Sequence, residues 1–223
     1  MSIPLLDHAN PRAFLLGSLV VVALLLPSTA FAALITSSSD PALSGALLQD
    51  FDGETPGDFT SQSFLIGLHG FSITPVSGSM QIEGNWCDDF GTNNACIGTN
   101  SSGGANDDFD VVFTGSGVSA FGFALNALDR DWTIETYDAS DNLLNTYVYL
   151  SQSPGLTGFA RQGFFGATES VSIQYFTVRS AGGDDWALID DFQYVTTPEP
   201  GTAVLAGLGL LGLASVGRSG RKR

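Results

Sequence analysis

Along most of the chain, hydrophobic and polar positions alternate in short bursts separated by Gly, Asn, Asp and Pro. Alternation with a period of two marks a strand with one buried face. The clearest case is residues 131–137 (DWTIETY), where Trp132 and Ile134 oppose Thr133 and Glu135. Residues 138–142 (DASDN) then form a turn and residues 143–150 return, which predicts a hairpin. Further strands are predicted at 46–52, 64–74 (broken by a glycine), 80–83, 111–114, 118–125, 170–179 and 186–195. Residues 53–57, 75–78 and 180–185 read as turns, and 158–166 as a looser aromatic stretch. The alternation stops over 84–110, a long Gly/Asn/Asp loop of the kind that is uncommon unless it binds something. No segment inside this region reads as a long amphipathic helix. The pattern predicts an all-β domain, a jelly-roll-like β-sandwich.

Two apolar runs stand outside the alternation. The first, residues 13–27 (AFLLGSLVVVALLLP), follows Arg12 and precedes Ala30-Phe31-Ala32, a small-x-small cleavage site. That order predicts a signal peptide over 1–32, cleaved after Ala32. Residues 33–45 are Ser/Pro-rich and read as a leader, and 46–197 as the acidic sandwich domain. The second run, Ala203–Val216, is followed by Arg218, Arg221, Lys222 and Arg223. It is expected to be a short transmembrane helix at about 202–217, with the basic end cytoplasmic and the acidic domain outside. Fourteen residues is short against the roughly 20 that span a bilayer core.

Charge narrows the set of partners. The chain has 23 acidic and 8 basic residues, a formal net charge of −15. Between residues 33 and 197 the basic residues are Arg130, Arg161 and Arg179 alone. So acidic a body repels nucleic acid and anionic lipid. It suits a divalent cation, or simple solubility. Its aromatic and β-branched content is too rich for disorder.

Cys87 and Cys96 lie in the exported part, where an even cysteine count favours a disulfide. Their isolated C-x8-C spacing does not fit zinc. Among carboxylates Asp190 stands out, because alternation puts Leu188, Asp190, Phe192 and Tyr194 on one face. If Phe192 faces the core, Asp190 does too, and a buried carboxylate needs a cation or several donors. Calcium, a hard ion that takes oxygen ligands, is the candidate cofactor, with Asp50 and Asp52 as candidate co-ligands. The alternative is that Asp190 caps backbone N–H groups. Asp88, Asp89, Asp107, Asp108 and Asp110 flank the cystine loop; without EF-hand spacing they read as solvated acids, with a second cation site as the alternative. Trp86 and Trp186 are the candidate sugar-stacking residues, and Trp132 a core residue. A hydrolase is hard to assemble: His69 is the one histidine left after signal cleavage, and no G-x-S-x-G elbow is present. Glu83, Glu135 and Glu169 are the acids from which a glycosidase pair would have to come.

Pro198-Glu199-Pro200, a short apolar run and the basic finish at Arg218, Arg221, Lys222 and Arg223 closely resemble the PEP-CTERM sorting signal, also catalogued as the ice-binding protein C-terminal motif. The resemblance covers about the last 26 residues. It implies export by a Gram-negative bacterium, with signal peptidase, the general secretion machinery and an exosortase as partners. It further implies membrane anchoring until processing, then delivery to the cell surface or extracellular matrix. Residues 51–57, 107–125, 163–178 and 186–194 are similar in texture to the passenger domains that precede this signal. The expectation is a non-enzymatic surface or matrix protein associated with exopolysaccharide. The alternatives are a structural or adhesive protein without a specific glycan, and a glycan-active hydrolase.

Overall fold

The computed structural model describes residues 32–84, 87, 95–101, 104–105, 108–126, 128, 130–150, 163–181 and 187–197. Their strands are β1 (Ala33–Ile35), β2 (Leu47–Gln49), β3 (Gly57–Phe59), β4 (Gln62–Ile66), β5 (His69–Pro75), β6 (Met80–Glu83), β7 (Cys96–Gly98) and β8 (Asn100–Ser101). The remainder are β9 (Gly104–Ala105), β10 (Phe109–Phe113), β11 (Val118–Asn126), β12 (Trp132–Tyr137), β13 (Leu143–Tyr149), β14 (Gly163–Ile173), β15 (Tyr175–Ser180) and β16 (Leu188–Thr196). The 3-10 turn Pro41–Leu43 is capped by Asp40.

The strands form two antiparallel sheets and a small two-stranded ribbon. Sheet A runs β1-β14-β11-β16-β7-β6-β3, with β2 also on β16, and sheet B runs β13-β12-β15-β10-β5-β4. Within them β7-β16-β11-β14 and β10-β15-β12-β13 are two interlocked four-strand sets. From β10 to β16 the chain changes sheet at every step except the β12–β13 hairpin. That order is the double Greek key of a jelly roll.

Alternation explains the core. Phe109, Val111 and Phe113 of β10, Phe121, Phe123 and Leu125 of β11, and Trp132 and Ile134 of β12 all turn inward and are fully buried. Phenylalanine dominates: Phe121 stacks on Phe176 at 4.1 Å, and Phe71 on Phe192 at 4.2 Å. Such rings fill the roughly 10 Å between packed sheets while adding little polar surface.

The glycine break expected within residues 64–74 falls at Gly67, φ 65°, and makes the segment the hairpin β4–β5. Several elements differ from the sequence reading. Residues 170–179 divide at Gln174 into β14 of sheet A and β15 of sheet B. The long loop 84–110 contains β7, wholly buried between β6 and β16. Residues 33–35, within the expected leader, pair with β14 as β1.

One expectation is overturned. Among the described residues no helix is long and apolar enough to cross a membrane, against the transmembrane helix expected at about 202–217. That segment itself lies outside the described residues. Length is the physical reason. At 1.5 Å per residue the 14 residues Ala203–Val216 reach only about 21 Å, against a hydrocarbon core of about 30 Å. Gly207, Gly209 and Gly212 weaken a helix there further. The membrane-anchored stage of the expected localisation is withdrawn with it.

Candidate functional site

β16 places the candidate carboxylates. Its edge is shared, with β7 pairing at Leu188 and Ile189 and β2 at Phe192 to Tyr194. Between these two partners the ladder with β11 slips. Ala124 opposes Asp190 and Gly122 opposes Gln193, so β16 carries one extra residue. This is a β-bulge, and Asp191 occupies it at φ 49°.

The bulge breaks the parity that alternation assumed. Ile189, Phe192 and Tyr194 belong to the core between the sheets, whereas Leu188 packs against Cys87 and Cys96. Asp190 shares the side of Leu188 and of its half-buried partner Ala124, not that of Phe192. It is still only 2% exposed. Its Oδ1 accepts the Asp191 N–H at 2.7 Å.

Asp50 and Asp52 follow β2 and flank Phe51, whose ring is fully buried edge-on to Phe64. Phe51 sits at φ 54°, a costly conformation for a bulky residue, and both neighbouring acids are left in solvent. The Asp52 N–H donates to Asp50 Oδ1 at 3.3 Å. Burial first, and then the charges of Asp191, Asp52 and Asp50, push the Asp190 carboxyl up to about 7. The Asp191 N–H works against that rise. Asp191 is raised too, by burial and then by Asp50 and Asp52. The three candidate calcium ligands are therefore electrostatic neighbours, and Asp191 joins them. The oxygen-only donor set has the right chemistry for calcium. Among the described residues, however, no three His, Cys, Asp or Glu converge in metal-holding geometry.

Cys87 and Cys96 form a disulfide with a Cα–Cα distance of 5.7 Å. Glu83 lies beside it, and its carboxyl is raised by burial and by Asp58. The three glutamates of the hydrolase alternative do not converge. Glu135 is on the outer side of sheet B, with its Oε2 accepting the Tyr137 hydroxyl at 2.7 Å. Glu169 is buried, and its Oε1 accepts Thr136 Oγ1 and the Tyr147 hydroxyl, both at 2.8 Å. Glu83 belongs to β6 of sheet A. His69 is exposed at the start of β5.

Trp86 and Trp186, Asp88, Asp89 and Asp107, and the sorting residues Pro198, Glu199, Pro200, Arg218, Arg221, Lys222 and Arg223 lie outside the described residues. Trp132 is a core residue, edge-on to Phe109 at 5.8 Å.

The sequence reading missed an aromatic pair on the outside of sheet B. Tyr137 of β12 and Tyr175 of β15 are direct cross-strand partners, and their rings stack at 4.6 Å and 6°. Alternation carried a signal for them, since each lies opposite in parity to buried neighbours (Ile134 and Thr136, Phe176 and Val178). Their pairing needed the strand order.

The fold thus defines a two-sheet β-sandwich built on a phenylalanine core. Residues 196–223 match the PEP-CTERM protein-sorting motif, the mark of an exosortase substrate. Among curated proteins, none matches the chain. Among solved structures, the chain is similar to the K2 cleaved adhesin domain of Lys-gingipain, with TM-score 0.40, 10% identity, and coverage of 69% of this chain and 99% of that one. It is also similar to the K1 cleaved adhesin domain of Lys-gingipain from Porphyromonas gingivalis, with TM-score 0.37, 12% identity and coverage of 69% and 99%. At these scores the likeness supports no functional argument.

Proposed function

We propose that the protein is a non-enzymatic component of the cell surface or extracellular matrix, delivered by its sorting motif and associated there with exopolysaccharide. The observation that carries the reading is the PEP-CTERM match over 196–223, which begins at the end of the last strand of a sandwich. The dispersal of Glu83, Glu135 and Glu169 supports a binding or structural role over hydrolysis. Calcium belongs to the same reading. Mutual repulsion among Asp50, Asp52, Asp190 and Asp191 is what a divalent cation would relieve.

The test is fractionation of exosortase-bearing Gram-negative cells expressing the tagged full chain. The protein is expected in the matrix fraction and is expected to be released when the polysaccharide is digested enzymatically. Matrix recovery that digestion leaves unchanged favours a structural or adhesive protein with no glycan partner. Absence from surface and matrix overturns the reading.

A further inference from the structure

The outer side of sheet B is organised into rows that cross the strands. In one row Leu143, Tyr137, Tyr175 and Val112 are successive cross-strand partners on four adjacent strands. Leu143 and Val112 are 52% and 42% exposed, far more than core residues. The tyrosine rings are nearly parallel, and their 4.6 Å separation matches the strand spacing of about 4.8 Å. The rings therefore stand face to face as a ridge, with apolar shoulders at Leu143 and Val112.

The neighbouring row is polar throughout. Thr146, Glu135, Thr177, Asp110 and Thr74 follow one another across the same sheet. Glu135 and Asp110 are acceptors, and the threonines add hydroxyls. Asp138 and Asp141 stand at one end of the face, in the β12–β13 turn, and Asp141 is hydrogen-bonded to the Tyr175 hydroxyl. The cation here, Arg179, already binds Asp110 at 2.7 Å and the carbonyls of Phe109 and Val178.

A protein partner would fit poorly, because interface centres are depleted of charge and this face interleaves acids with its apolar row. Sugar rings meet both demands. Their C–H faces pack against aromatic flanks while their hydroxyls donate to carboxylates and threonines. The surplus of carboxylates, with Arg179 neutralised by Asp110, sets the charge of the occupant: it has no acidic groups. The four-strand row is about 14 Å wide, enough for a short run of rings.

We infer that the outer face of sheet B, centred on the Tyr137–Tyr175 ridge and the Glu135–Thr177–Asp110 row, is a binding surface for an extended neutral or amino-bearing polysaccharide. This rests on the glycan association proposed above and names its surface and ligand class.

The test is co-sedimentation of the purified full chain with cellulose, curdlan, chitosan and alginate particles. The wild type is expected to sediment with at least one of the first three and not with alginate. Tyr137→Ala/Tyr175→Ala is expected to weaken that binding about tenfold or more. Glu135→Gln removes charge without removing bulk and is expected to weaken it severalfold, with the unfolding midpoint as a check on the fold. Leu68→Ala, at the 96%-exposed tip of the β4–β5 turn, should bind as wild type does. Wild-type binding that both face variants retain overturns the inference and leaves the glycan reading standing. No binding to any neutral or amino polysaccharide overturns both. Preference for alginate, or a dimer lost in the tyrosine variant, also overturns the inference, the latter by assigning the face to a second copy of the chain.

Discussion

At the scale of single residues, Asp190 is where chemistry and fold conflict. A carboxylate 2% exposed, with one backbone N–H donor and three acids nearby, is held in its charged form at a cost. Its folded value of about 7 lies above the ordinary 3.8, so the folded state binds the proton more tightly than the unfolded chain does. The contribution to stability is therefore fully present below about 4 and is lost as pH rises through about 7. Unfolding monitored by fluorescence should show wild type more stable at pH 5 than at pH 8, by about 2–3 kcal/mol. Asp190→Asn should flatten most of that slope and exceed wild type at pH 8. Asp191 and Glu83, both raised, tilt the profile the same way and leave a residual slope in the variant. Calcium at pH 8 should raise the wild-type midpoint and leave Asp190→Asn unmoved. A wild-type profile level between pH 5 and 8 overturns the electrostatic account. A calcium response that survives the substitution moves the ion away from Asp190.

At the scale of elements, β11 and β14 approach each other closely. Gly122 and Gly166 oppose each other there, and a Cβ on Gly166 would meet the Phe121 carbonyl oxygen at 2.4 Å and Gly122 Cα at 2.9 Å. Both obstacles are backbone, so Gly166→Ala must spread two central strands of sheet A. It should cost about 1–3 kcal/mol, read by chemical denaturation. The cystine is the second element-scale tie. It closes a loop with a sequence separation of 9 that leads into β7, the strand paired beside β16, and Cys87→Ser/Cys96→Ser should cost about 3 kcal/mol by the loop-entropy argument. These two devices also mark what the sequence made legible. The β12–β13 hairpin was readable because its alternation and its turn are both local; Asp138 Oδ1 accepts the N–H groups of Ser140 and Asn142 within the turn itself. The β14–β15 break was not. At Gln174 the N–H goes to the Tyr137 carbonyl and Nε2 to the Phe113 carbonyl, partners 37 and 61 residues away. For the same reason Asp190 could be singled out but not oriented, because the bulge at Asp191 answers to registers with β2, β7 and β11 that no local pattern contains.

At the scale of the whole molecule, folding and delivery meet at Thr197. Its hydroxyl donates to the Ser116 and Gly117 carbonyls at 2.9 and 3.1 Å, and its own carbonyl accepts Ser116 Oγ at 2.8 Å. The sandwich is thus fastened immediately before Pro198, the first of two prolines in three residues. The sorting motif, matched from residue 196, overlaps the sandwich by only two residues. Delivery and stability should then separate cleanly. Replacing Pro198, Glu199 and Pro200 together by alanine is expected to leave the unfolding midpoint within about 0.5 kcal/mol of wild type, as for substitutions away from packed features. In exosortase-bearing cells the same triple variant should stay with the cell body while wild type reaches the surface or matrix. Normal delivery of the variant would remove the Pro-Glu-Pro element from the address. A large loss of stability would show that the body and its address are one cooperative unit, with the lock at Thr197 extending past residue 197.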